Sequence, residues 1–107
     1  MFTKTALLVV TLCLFAEFSY AQSIENGEAI FKKRCIGCHG RDGRNKAFGK
    51  SNIIAGQPTA ALREHLAFYK DSDFQTHTST AVMSKQVRKL DDKEILDVTA
   101  YVSTLSN

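Results

Sequence analysis

Apolar positions along this chain fall into one unbroken run near the start and three helical stripes after it, and nowhere do they alternate as in a half-buried strand. The first stripe predicts a helix over residues 26–38, where Ile30, Phe31 and Cys35 recur at helical spacing and Ser23 or Asn26 can cap the start. The second follows Gln57-Pro58, a proline suited to a first helical turn. Its Leu62, Leu66 and Tyr69 repeat at i, i+4 and i+7 and make one apolar face. The third starts at Asp91, whose carboxylate can cap while Glu94 reaches back, and Ile95, Val98, Val102 and Leu105 form its stripe beside Tyr101. Between them lie two turn-rich stretches, residues 40–56 with Gly40, Gly43, Gly49 and Gly56, and residues 71–81, mostly Ser, Thr and Asp. Connections this long are uncommon in a small domain unless something binds there. The pattern predicts an all-α domain of three main helices plus loops.

The unbroken run, residues 6–16, follows a basic start at Lys4 and precedes Ser19-Tyr20-Ala21. A basic start, an apolar stretch and a small-x-small ending describe a secretory signal peptide. As a helix the run is about 16 Å long, roughly half a bilayer core, so it is not expected to span one. Residues 1–21 are expected to be removed as a signal, leaving residues 22–107 as an exported, periplasmic domain without a transmembrane segment. Leu12 stands before Cys13 where a lipid-attachment cysteine wants a small residue, so Cys13 is expected to leave with the signal.

Composition becomes informative only after that removal. The whole chain has 107 residues, three cysteines, two methionines and a net charge of +3. Without residues 1–21 the cysteines are Cys35 and Cys38, the methionine is Met83, and the charge is unchanged because Lys4 and Glu17 cancel. This balance belongs to neither a disordered nor a collagenous chain, and it is too mildly basic to argue for nucleic acid. A domain so small usually needs a disulfide, a metal or a bound cofactor to hold it.

Cys35-Ile36-Gly37-Cys38-His39 offers one. C-x-x-C-H is the attachment signature of c-type haem. Two thiols at this spacing can form thioethers with the two vinyl groups on one porphyrin edge, and the next residue, His39, then lies beneath the ring with its imidazole aimed at iron. A thioredoxin-like pair would sit in a β-α-β setting, which is not visible here. A structural zinc would need two more ligands, and His65 and His77 lack the short pairing expected. A disulfide closing so short a loop would constrain the unfolded chain little.

Iron held this way needs a ligand on its other face. Met83 lies in the stretch read as a loop before the last helix, with Val82 and Val87 around it, and is the expected axial partner of His39. His77 is the second choice. His65, a further candidate, falls between the apolar positions of the middle helix and reads as a surface or satisfied histidine.

With these residues in place the chain resembles the class I c-type cytochromes over residues 25–105. Gly27 and Phe31 match the family's first helix, where an open glycine lets the last helix cross closely, and Tyr101 and Leu105 match the positions that pack there. Ala55-Gly56-Gln57 and Tyr69-Lys70-Asp71-Ser72 look like the short bacterial subgroup, found alone, in tandem di-haem proteins or as subunits of flavin dehydrogenases. The resemblance implies a cytochrome c fold around one covalent haem c, with Cys35 and Cys38 as attachment points and His39 and Met83 on the iron. It also implies a one-electron carrier rather than an enzyme. Two departures stand out. The proline whose carbonyl usually orients the axial imidazole is missing near Asn52, and Ser72 and Phe74 replace the Gly and Arg that follow the middle helix.

Charge is uneven. Lys32, Lys33, Arg34, Arg41, Arg44, Lys46 and Lys50 face a single acid, Asp42, within residues 32–50. Lys85, Arg88 and Lys89 follow Met83, whereas Asp91, Asp92, Glu94 and Asp97 open the last helix. Basic sequence around both expected ligands points to redox partner proteins with an acidic docking surface. The alternatives are the electron-transfer subunit of a larger dehydrogenase and, if Met83 does not ligate, a five-coordinate haem sensor or peroxidase.

Overall fold

The chain enters its first helix at Ser23, whose extended backbone and hydroxyl, accepting from the Asn26 N–H at 3.1 Å, cap α1 (Ile24–Arg34). The structure is a computed structural model describing residues 22–72 and 79–105; the expected signal, residues 1–21, and Phe74 and His77 lie outside them. α2 (Ile36–His39) follows a one-residue break at Cys35, then come a 3₁₀ turn (Ala47–Gly49), α3 (Thr59–Asp71), α4 (Ser79–Arg88) and α5 (Asp92–Thr104). Among the described residues there is no strand, so the all-α expectation holds.

α1, α3 and α5 are the three main helices that the stripes predict. The first starts two residues before the expected Asn26 and stops at Cys35, so residues 26–38 are not one helix. α5 carries the full capping box: the Glu94 N–H donates to Asp91 Oδ1 at 2.8 Å and the Asp91 N–H to Glu94 Oε1 at 3.1 Å. α4 is the departure, because it places Met83 on a helix and not in a loop. Its inward positions are Ala81, Ser84 and Val87, all buried. A polar Ser84 in the middle of so short a stripe hides the helical period from any hydrophobicity count.

One apolar core joins α1 to α5 through Ile30, Phe31, Val98 and Val102, with Leu62, Val87 and Leu90 completing it. The largest helix contact is α1 against α5, while α3 packs on both α4 and α5. Phe31, fully buried, meets Tyr101 with ring centroids 5.5 Å apart. The loop after α2 is tied back to α5, since the Gly56 N–H donates to the Val102 carbonyl at 3.1 Å. Gly43 (φ +69°) makes its turn under Leu105, where a Cβ would stand 3.1 Å from Leu105 Cδ1. No helix of the described residues is long and apolar enough to cross a membrane.

At the α1–α5 crossing a Cβ on Gly27 would overlap the Asp97 carbonyl and come within 2.9 Å of Tyr101 Cβ. Beside it the buried Asp97 carboxylate takes the Ser23 N–H at 2.8 Å, Asn26 Nδ2 at 2.8 Å and Lys93 Nζ at 2.5 Å. Burial works to raise the Asp97 pKa. The hydrogen bonds from Lys93, Ser23 and Asn26, with the Lys93 charge, outweigh it and hold the carboxyl below its usual range.

Two outcomes follow for denaturant unfolding. In an open helix Gly→Ala adds about 1 kcal/mol of stability, whereas Gly27→Ala is expected to lose about 1–3 kcal/mol through overpacking. A gain in Gly27→Ala would contradict the close crossing. Because the folded Asp97 has the lower pKa, its contribution is complete above the unfolded value near about 4 and is lost as pH falls through the folded value. Asp97→Asn should therefore cost about 1–3 kcal/mol at neutral pH and show a shallower loss of stability than wild type on acidification.

Candidate functional site

The break at Cys35 and the short α2 bring the C-x-x-C-H residues to one wall of a cavity of about 450 Å³. The Cys35 N–H donates to the Phe31 carbonyl at 2.8 Å, and the His39 N–H to the Cys35 carbonyl at 3.0 Å, so α1 hands the segment on without a flexible joint. Gly40, at φ +78°, then turns the chain out of α2. Cys35, Cys38 and His39 all line the cavity, and so does Met83 from α4. All four residues singled out in the sequence therefore face one space.

Neither cysteine is in a disulfide; Cys35 is half-buried and Cys38 exposed. Burial pushes the Cys35 thiol up to about 11, with Arg34 working against the rise and Cys38 adding to it, so it is protonated at neutral pH. His39 is buried, and burial lowers its pKa, which favours the neutral imidazole. Its Nδ1 is buried without a hydrogen-bond partner among the described residues, in keeping with the missing proline near Asn52. A buried ring nitrogen with no partner costs free energy until a hydrogen-bonding group meets that same nitrogen.

The remaining walls are mostly apolar. Phe31 from α1, Leu62 and Leu66 from α3, Val87 from α4 and Val102 from α5 supply most of them. His65, read from sequence as a surface residue, is exposed yet lines the cavity beside Leu62, Leu66 and Tyr69. Its place at i+3 from Leu62 was a legible signal: the inward face of α3 is an i, i+3, i+4, i+7 set. Phe48, on the 3₁₀ turn, also lines the cavity with 59% of its surface exposed, and its φ of +56° is uncommon for a bulky residue. No spacing rule would have marked it.

Charge around the opening is one-signed among the described residues. Arg34 and Lys50 line the cavity and no carboxylate does. Lys32 of the basic series is engaged elsewhere, paired with Glu28 at 2.7 Å along α1. His77, the second-choice ligand, falls outside the described residues. Among those described, no three His, Cys, Asp or Glu side chains converge as a metal site. The donor set is two thiols, one imidazole and one thioether around an apolar space, which suits a flat, apolar, covalently tethered metal macrocycle better than a bare ion.

The sequence model of the family described as cytochrome c matches residues 24–106. Cytochrome c-553 of Nitratidesulfovibrio vulgaris (strain Miyazaki F) is 30% identical over 102 residues, covering 95% of this chain and 99% of that protein. Cytochrome c-553 of Helicobacter pylori (strain J99) is 33% identical over 102 residues, covering 95% and 98%. Cytochrome c-554(548) of Halomonas halodenitrificans is 31% identical over 70 residues, covering 65% of this chain and 82% of that protein.

Proposed function

The chain belongs to the cytochrome c family, haem-bearing electron carriers with one covalently attached haem c, and on that premise we propose that it is an exported, periplasmic carrier ligated by His39 and Met83. The observation that carries this reading is the convergence of Cys35, Cys38, His39 and Met83 on one apolar cavity, although Met83 comes from a separate helix. Bound there, the haem supplies the exchange of a single electron at its iron. Cys35 and Cys38 would hold it by thioethers, and the residue that follows them, His39, would be a ligand to its iron.

The protein's part is binding, orientation and exclusion of water. Burial of His39 keeps its imidazole neutral, the form that can ligate. Met83 brings a soft thioether, which favours the reduced iron and raises the potential. With His39 and Met83 both bound to it, the iron would have no position left for a substrate, which suits electron transfer rather than the making or breaking of bonds. Phe31, Leu62 and Val102 keep the surroundings dry and similarly shaped in both redox states, which limits reorganisation on electron transfer. Removal of residues 1–21 and work outside the cytoplasm follow from the basic, apolar, small-residue order of that segment.

Arg34 and Lys50 at the opening, with no carboxylate lining it, support docking to an acidic face of a redox partner. Charges of this kind act mainly on encounter rates.

The optical spectrum of the purified oxidised protein tests the ligands. A methionine–iron charge-transfer band is expected in wild type and absent in Met83→Ala; a high-spin wild-type spectrum would count against the carrier. Electron-transfer rates with an acidic partner should fall by about tenfold as ionic strength rises from low to physiological. Lys50→Gln should flatten that dependence, and rates indifferent to salt would remove the acidic partner.

A further inference from the structure

Side chains, not backbone pairing, join α4 to the C-terminal end of α3. The last turn of a helix leaves carbonyls without intrahelical partners, and here α4 supplies them. The Ser84 hydroxyl donates to the Tyr69 carbonyl at 2.7 Å and lies 3.1 Å from that of Ser72. The Arg88 guanidinium donates to the same Ser72 carbonyl and reaches that of Lys70 at 3.5 Å. In return Lys70 Nζ donates to the Leu90 carbonyl, just past α4, at 2.9 Å. An arginine at the negative end of a helix is also well placed for its dipole.

Ser84 directly follows Met83, so their side chains leave α4 about 100° apart. Ser84 is 1% exposed, and with Ala81 and Val87 it forms the buried stripe of α4. Met83 and Gln86 line the cavity, together with Val87 of that stripe, whereas Ser84 does not. An apolar stripe alone would let so short a helix turn by some degrees about its axis, whereas a buried hydroxyl bonded to fixed carbonyls does not. The bond that sets the rotation of α4 therefore sets where the Met83 sulfur points.

Resting on the reading of Met83 as an axial ligand, we propose that Ser84 is a positioning residue for its sulfur, with Arg88 holding the same α3 terminus one turn further on. The readout is at the iron, where a purely structural role would leave no mark. In the haem-loaded ferric protein, imidazole competes with the methionine for the iron. Ser84→Ala should bind imidazole about tenfold more tightly than wild type, since a bond that holds the sulfur in place is lost, and should weaken the methionine–iron band. Asp97→Asn, which loosens the fold at the α1–α5 crossing, should bind imidazole as wild type does.

If Ser84→Ala does not fold, the exposed Arg88→Gln carries the test, with an increase of about threefold expected. Wild-type imidazole affinity in the variant that folds overturns the proposal, and so does an equal gain in Asp97→Asn. Met83→Ala separates the two readings. If it leaves the band in place, the ligand assignment fails and the positioning role falls with it. If it removes the band while Ser84→Ala stays at wild-type affinity, only the positioning role fails.

Discussion

Two helices reach backbone contact only where one of them presents no side chain, and Gly27 is that position in α1. Most of the arrangement depends on it. The close crossing sets Phe31 and Ile30 against Val98 and Val102, and Asp97 is brought within hydrogen-bond reach of Ser23 and Asn26 at the start of α1. The same carboxylate would be costly to bury alone, and its three donors remove that cost. With α1 fixed at its start by Asp97 and along its length by the core, its far end delivers Cys35, Cys38 and His39 to the cavity.

The second set of constraints lies across the cavity and is polar. α3 and α4 pack together through the shared apolar core, and each also satisfies the other's terminal carbonyls through Ser84, Arg88 and Lys70. An apolar site that must hold a large flat group cannot fill its own centre with side chains. The helices bordering it are therefore held at their ends, and the polar clamp sits where such ends meet. The chain thus relies on close hydrophobic packing on the α1–α5 side and adds hydrogen bonds on the α3–α4 side, with the cavity lined by Cys35, Cys38, His39 and Met83 between them.

Legibility in the sequence follows the same division. The α5 capping box, the stripe of α3 and the glycine at the crossing are local patterns, and each appears where it was expected. C-x-x-C-H is read directly because its spacing is itself the chemistry. α4 was not legible, since its middle inward residue is a serine that is tolerable only because the α3 carbonyls accept from it. His65 is exposed, as its sequence position suggests, and it also lines the cavity, a second role that its place at i+3 from Leu62 allows.

By itself the sequence determined the helical class, the covalent attachment motif and a pool of ligand candidates of which Met83 was first. These depend on residue type and on separations of a few positions along the chain, which local geometry fixes. Tertiary structure decided that Met83 is carried on a helix, that it shares a cavity with His39, and that only Arg34 and Lys50 of the basic series line that cavity. Such features depend on which distant carbonyls, carboxylates and side chains come together. That is settled by the packing of whole helices, where a single buried hydroxyl or a missing Cβ outweighs the local preferences of the chain.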